Sequence, residues 1–264
     1  MKLKFFKFHG AGNDFILIDN RTDFFSDDPA IIRRLCTRRF GVGADGLILL
    51  NQDPEADFYM KYYNADGSLA QMCGNGGRCV ASFAYWLGGF GTKLRFKAAD
   101  GMHTAEILKV EDKFFHVRLS LLDVEQIHIE KRDYLLNTGV PHFVRFLRNV
   151  PDEDLDVVSE GRSIRYNERF MPDGVNVNFV SEIFDGIYVR TYERGVEDET
   201  LSCGTGVTAS AIAWALEQGL SQGPVKVTTR GGFLEVDFKL EGNRAEEVFL
   251  TGPVELVYEA ETWI

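Results

Sequence analysis

Two segments of this chain have helical composition and no polar face. Cys79, Val80, Ala81, Phe83, Ala84, Tyr85, Trp86 and Leu87 fill one; Val207, Ala209, Ala211, Ile212, Ala213, Trp214 and Leu216 fill the other. A helix that is apolar on all sides must be buried on all sides. Much of the remaining chain reads as alternating strands, among them KFFKFHG, DFILIDN, ADFYMKYYN, VNVNFVSEI and GIYVRTYERG, with hairpins expected at Asp100-Gly101 and Gly231-Gly232. Both demands are met by a strongly curved, mostly antiparallel, barrel-like sheet wrapped around each helix, an α/β chain of the α+β type. Gly88-Gly89 and Gly219 are the expected helix stops. Two further helices are expected. One lies in PAIIRRLCTRRF after Asp28, with Pro29 in its first turn, and a short one lies within the acidic stretch from Pro151 to Phe170.

The two buried helices open alike. MCGNGGRC around Cys73 and SCGTGVTA around Cys203 both read Cys-Gly-polar-Gly. Upstream, Tyr63-Asn64 precedes the first cysteine at nearly the spacing at which Tyr192-Glu193 precedes the second, and GNDFILI from Gly12 resembles GVPHFVRF from Gly139. Downstream, the hairpin through Gly101 matches the hairpin through Gly232. The features recur in one order, offset by the 130 residues that separate Cys73 from Cys203. A period that long means two pseudo-symmetric domains rather than a solenoid.

With 264 residues, 45% of them hydrophobic, the chain can bury a sizeable core without staples. Its net charge of -11 argues against nucleic acid or an anionic membrane as the main partner. A small acidic substrate stays open, because a local site can be positive within a negative protein. The N-terminus lacks an apolar run of signal-peptide length and no stretch reaches transmembrane length, which points to the cytoplasm. Four scattered cysteines, Cys36, Cys73, Cys79 and Cys203, then read as thiols rather than bridges.

Cys73 and Cys203 each directly precede a helix start, where unpaired N–H groups and the macrodipole favour negative charge. Such a setting lowers a thiol pKa from its ordinary value of about 8.5. The flanking glycines allow close approach to the backbone, and the same N–H groups can hold a carboxylate. Each cradle thus offers a carboxylate anchor beside an activated thiol. Two of them, related by duplication, suit inversion of a stereocentre: one group removes an α-proton, the other returns a proton to the opposite face, and the helix N-termini stabilise the charge that develops. Cys36, beside Ile32 and Leu35, and Cys79, within the buried helix, read as small core residues. Cys73 and Cys79 lack the Cys-x-x-Cys spacing, and no histidine is near enough in sequence to complete a local metal set. A thiol–disulfide oxidoreductase and a non-catalytic amino-acid binding protein are the readings from other classes. The first lacks its close-spaced dithiol, and the second has no need of two activated thiols.

The segments GNDF, YNADGSLAQMCGNGGRC, GVPHF, VNVNF and YERGVEDETLSCGTG resemble the signatures of the diaminopimelate epimerase family, over nearly the whole chain. The resemblance implies two domains, 1–118 joined by a returning C-terminal strand 253–264, and 119–252, each with a barrel-like sheet around its central helix. It implies an isomerase that interconverts LL- and meso-diaminopimelate in lysine and peptidoglycan precursor synthesis, with no cofactor and no metal, as a homodimer. Cys73 and Cys203 match the family's acid/base pair. Gly74, Asn75, Gly204 and Thr205 match the residues whose amides hold the reacting carboxylate. Glu193 matches the glutamate at the reacting amino group and Arg194 the arginine at the distal carboxylate. Asn13, Asn64 and Asn176 match substrate-binding asparagines, and His142 a histidine that tunes the cysteine pair. Taken singly, Asn64 also reads as a turn cap, Arg194 as a surface charge and His142 as a structural histidine. Three departures stand out. Val140 replaces an asparagine that faces the distal end of the substrate, the VEDETLS segment is one residue longer than the common form, and Gly46 stands where some members have glutamine. They bear on distal recognition and leave a racemase of the same fold with another amino acid as the alternative.

Overall fold

A computed structural model describes residues 2–131, 133–147 and 155–264. The first residues of the acidic stretch, 151–154, lie outside the described residues. The chain divides into two compact units, Met1–Leu119 with Gly252–Ile264, and Ser120–Thr251.

The first unit holds β1 (Lys2–Gly10), β2 (Asn13–Asp19), α1 (Pro29–Cys36), β3 (Gly46–Asn51), β4 (Phe58–Asn64), α2 (Gly74–Leu87), β5 (Lys93–Ala98), β6 (Gly101–Glu111) and β7 (Phe114–Ser120). The long last strand, β16 (Arg244–Trp263), starts in the second unit and ends here. Each strand pairs with its successor, β7 pairs with β16 from Gly252 to Glu255, and β16 pairs back onto β1. The sheet therefore closes into an eight-stranded barrel around α2. Inside, Phe83 of α2 packs against Phe6 and Phe8, with ring centroids 4.9 and 5.9 Å apart. Outside, Ile16, Ile18, Leu47 and Leu49 pack against Ile32, Leu35 and Cys36 of α1. Covered on both faces, β2 and β3 are nearly continuously apolar, as buried parallel strands are.

The second unit repeats this plan. It holds β8 (Ile127–Glu130), β9 (Asp133–Asn137), β10 (Pro141–Phe146), α3 (Val157–Arg165), β11 (Asn176–Ile183), β12 (Gly186–Glu193), β13 (Asp198–Thr200), α4 (Gly204–Glu217), β14 (Val225–Thr229) and β15 (Gly232–Glu241). From β9 onward the pairings run antiparallel, parallel, antiparallel, parallel, antiparallel, antiparallel, the same order as from β1. The chain ahead of β8 bonds to β16 at Val124 and Ala245, drawing the ends of this sheet together. α4 packs inside against β9, β10, β11, β12, β14 and β15, and α3 covers the outer face at Val177, Phe179 and Tyr192.

The expected fold class therefore holds, with two adjustments. Each sheet is mixed, carrying parallel pairs β2–β3 and β4–β5 or β10–β11 and β12–β14. α2 is buried from Gly74 to Ala84 and then emerges, leaving Trp86 38% exposed. The glycine stops are as expected: Gly88 caps α2 at φ 77° and Gly219 follows α4 at φ 68°, conformations that glycine adopts without steric cost. α1 and α3 start on Asp28 and Asp156, whose carboxylates accept from the N–H groups of Ala30 and Ser159. Among the described residues no helix is long and apolar enough to cross a membrane.

Candidate active site

In the first unit Cys73 is the N-cap of α2, and its side chain makes no capping bond to the first turn. An N-cap serine or aspartate would occupy one of those amides; the thiol leaves the capping position to another anion. The turn is held from the side. Asn13, first residue of β2, accepts at Oδ1 from the Cys73 thiol (3.7 Å) and from Asn75 Nδ2 (3.3 Å), and donates through Nδ2 to Asp45 (2.8 Å). Asn75 accepts at Oδ1 from Arg78 Nη2 (2.7 Å), and Arg78 Nη1 donates to the Gly74 carbonyl (3.3 Å). Arg78 is fully buried. Gly10 makes room for this: a Cβ there would stand 3.2 Å from the Asn75 carbonyl oxygen and 3.4 Å from Arg78 Nη2. Asp14, held by Lys7 (2.6 Å) and Arg38 (2.6 Å), completes the polar rim. Its burial is outweighed by those two cations, which bring its carboxyl down to about 2.

In the second unit Cys203 is the N-cap of α4, again without a capping bond, and its sulfur lies 3.5 Å from Thr205 Oγ1. The Thr205 carbonyl is held by Thr138 Oγ1 (2.9 Å). Behind the helix lies a buried polar cluster. Asn178, fully buried on β11, accepts at Oδ1 from Thr191 Oγ1 (2.9 Å), and its Nδ2 meets the Phe143 carbonyl (3.0 Å) and His142 Nδ1 (3.1 Å). His142 is buried, and its Nε2 has no hydrogen-bond partner among the described residues. Desolvation, with a smaller contribution from the Arg194 charge, pulls its pKa down to about 3, so the ring is neutral across the physiological range. Asn176 Oδ1 accepts from the Arg194 N–H (2.8 Å), and Arg194 Nη1 donates to the Asp173 carbonyl (3.2 Å). Asn176, Glu193 and Arg194 thus meet at the β11–β12 end. An open cavity of about 500 Å³ borders His142, Asn137, Gly139 and Pro141, and neither Cys203 nor Thr205 lines it.

The first unit thus brings Asn13 and Asn75 to Cys73 at the start of α2, and the second sets Thr205 beside Cys203 and His142 beside Asn178, while Asn176 and Arg194 bond to each other at the β11–β12 end. Asn64 ends β4 with its side chain bonded to Ser68 Oγ (3.1 Å), closing the NADG turn. Cys36 and Cys79 are core residues whose thiols burial pushes upward, Cys36 to about 12. None of the four cysteines is in a disulfide. Sequence reasoning passed over Arg78, Thr138 and Thr191. Arg78 sits inside the CGNGGRC motif, so a signal existed, but burial separates such supports from exposed neighbours of the same type.

The sequence model of the family described as diaminopimelate epimerase matches residues 5–120 and 134–257. The chain belongs to the diaminopimelate epimerase family. It is 46% identical to the diaminopimelate epimerase of Flavobacterium psychrophilum, over 97% of this chain and 99% of that one, and 42% identical to that of Aquifex aeolicus, over 97% and 96%. Among solved structures, a Bacillus anthracis phenazine biosynthesis protein of the PhzF family superposes with a TM-score of 0.74 at 14% identity over all of both chains. A hydroxyproline epimerase from Agrobacterium vitis, solved with bound trans-4-OH-L-proline, gives 0.72 at 17% identity over 99% of this chain and 92% of that one. These two show the shared fold.

Against the family pattern, one of the departures finds a local reason. Gly46 opens β3 where a Cβ would meet the Tyr62 ring at 2.5 Å and the Tyr63 carbonyl at 2.6 Å. Val140 is half-buried in the tight β9–β10 turn, where its carbonyl accepts from the Thr138 N–H and Asn137 Oδ1 accepts from the Gly139 N–H. Asn178 has both ends of its carboxamide engaged.

Proposed function

We propose that this chain is a cofactor-independent epimerase that interconverts LL- and meso-diaminopimelate, with Cys73 and Cys203 as the two bases on opposite faces of one α-carbon. One observation carries the reading: each of two like units presents a thiol as the uncapped N-cap of a buried apolar helix. A thiolate removes the α-proton and becomes a thiol. The electron pair it leaves is delocalised into the carboxylate, whose oxygens meet the first-turn amides at Gly74-Asn75 and Gly204-Thr205. The opposite thiol delivers its proton to the other face and becomes the thiolate. Nothing is oxidised or reduced, and the two sulfurs have exchanged protonation states. Glu193 neutralises the reacting ammonium, Arg194 takes the distal carboxylate in a bidentate grip, and Asn13, Asn64 and Asn176 bind the remaining polar groups. His142, neutral and fixed by Asn178, lends the second cradle a polar wall without a competing charge.

The same reading places the protein in the cytoplasm, as a homodimer. Family membership supports it. The decisive experiment is incubation with LL-diaminopimelate in D2O under reducing conditions, following optical rotation and deuterium at the α-carbon. Conversion to the meso form with solvent deuterium at one centre is expected; no exchange would sink the proposal. Cys73→Ala and Cys203→Ala should each abolish inversion, while a surviving thiol can still exchange the α-proton of one stereoisomer. Because Val140 stands at the distal end, other amino acids belong in the same assay, and faster inversion of one of them would redirect the substrate assignment.

A further inference from the structure

The two cradles differ in charge at one matching buried position. Five positions after Cys73 stands Arg78, and five positions after Cys203 stands Thr208. Each bonds back to the carbonyl of the first helical residue, Arg78 Nη1 to Gly74 (3.3 Å) and Thr208 Oγ1 to Gly204 (2.9 Å), and each is fully buried. One is a cation, the other is neutral.

Among the described residues the cation has no acid partner. Its contacts are Asn75 Oδ1 and the Gly74 carbonyl, and its Nε has no partner among the described residues. Several other lysine, arginine and aspartate charges on or beside the strands packed against α2 have ion-pair partners. Lys7 of β1 pairs with Asp14 of β2 (2.6 Å), and Arg38 holds Asp14 and Asp45 (2.6 and 2.9 Å). Asp19 of β2 holds Arg21 (2.7 Å), and Lys61 of β4 pairs with Asp27 (2.5 Å). His9 of β1 hydrogen-bonds Glu255 (3.2 Å) and His103 of β6 hydrogen-bonds Asp100 (3.0 Å), contacts that are ion pairs only when the histidine is protonated. Burial draws the Arg78 guanidinium down to about 10, with Cys79 and Cys73 acting the other way, so it stays charged at neutral pH. A buried, unpaired cation is costly unless an anion stands close by. In the second unit the buried polar residues behind the start of α4 carry no charge: His142 is neutral, and Asn178 and Thr191 are uncharged side chains.

We propose that Arg78 is a positioning residue that makes the first cradle the anionic one, so that the resting protein carries its thiolate on Cys73 and its proton on Cys203. The inference rests on the two-cysteine reading above. One contact opposes it: the Asn13 carboxamide, directed by Asp45, turns its oxygen toward the Cys73 sulfur at 3.7 Å. A single neutral hydrogen bond at that length is the smaller effect beside a full charge in a low-dielectric interior.

The test is the pH dependence of initial iodoacetamide alkylation, read separately for Cys73 and Cys203 by peptide mass spectrometry. The midpoint of each curve reports its own thiol and is independent of access. In the wild type the Cys73 midpoint should lie at least about one unit below that of Cys203, about tenfold more thiolate at a given pH. Arg78→Gln, which keeps a donor for Asn75 but removes the charge, should raise the Cys73 midpoint by about a unit and leave that of Cys203 in place. Arg78→Lys should restore the low value. A Cys203 midpoint at or below that of Cys73 overturns the proposal, as does an Arg78→Gln protein whose Cys73 midpoint has not moved. Should that variant not fold, by circular dichroism, the wild-type order still decides. Absence of α-deuterium exchange counts against the epimerase reading instead, so the two failures are distinguishable.

Discussion

Gly206 is the position at which one methyl group tests how the second cradle is held. It lies in the first turn of α4, and a Cβ there would stand 2.3 Å from Asn178 Oδ1 and 3.3 Å from Thr191 Oγ1. Asn178 is fully buried, so its carboxamide has no open space to enter. In Gly206→Ala either the carboxamide swings away, losing two of its three bonds to Thr191, Phe143 and His142, or the start of α4 moves off the cluster. Two lost buried hydrogen bonds cost roughly 2 kcal/mol. Overpacking adds about 1–3 kcal/mol. Alanine's helix preference returns at most about 1 kcal/mol. The net expectation is a loss of about 2–4 kcal/mol in the urea unfolding of the full chain, with a fall in kcat because the amides beside Cys203 shift. Asn178→Ser, which shortens the opposing side chain, should reduce the added cost of Gly206→Ala, and a double-mutant cycle measures that coupling. A Gly206→Ala protein within about 0.5 kcal/mol of wild type would refute the claim that this contact is rigid.

Three further outcomes follow from the same geometry. Asp14 has a carboxyl lowered from 3.8 to about 2, so its contribution to stability is complete above the unfolded value and is lost as pH falls from about 4 through 2. Urea midpoints across that range should fall more steeply for wild type than for Asp14→Asn, and equal slopes would count against the ion pairs. His142 has a folded value near 3 against an ordinary 6.5, so its neutral form contributes fully above about 6.5 and progressively less as pH falls toward 3; its ring signals in NMR should show no titration between pH 5 and 8, and a midpoint in that window would contradict its burial. Thr138→Val removes the hydroxyl that holds the Thr205 carbonyl and should cost about 1 kcal/mol, together with a raised KM; an unchanged KM would mean that the Thr138–Thr205 bond does not position the cradle.

Much of the plan was legible in the chain. Helices apolar all round had to be enclosed, and the order of elements around Cys73 recurs around Cys203. The hairpins at Gly101 and Gly232 and the caps at Asp28 and Gly88 followed from turn and cap chemistry, which acts between near neighbours. The strand β3 was passed over, because a strand buried on both faces has no alternation to read. The resemblance also pointed to the cradle residues, since motif spacing travels with local backbone shape. What local pattern does not carry is partnership across the chain. Only the tertiary structure turns Arg78 inward without an acid, commits Asn178 to His142 and Thr191, spends the Asn64 carboxamide on Ser68, and explains Gly46 by the Tyr62 ring. Each of those depends on strand register between segments far apart in sequence, and register is a property of the closed barrel rather than of any one strand.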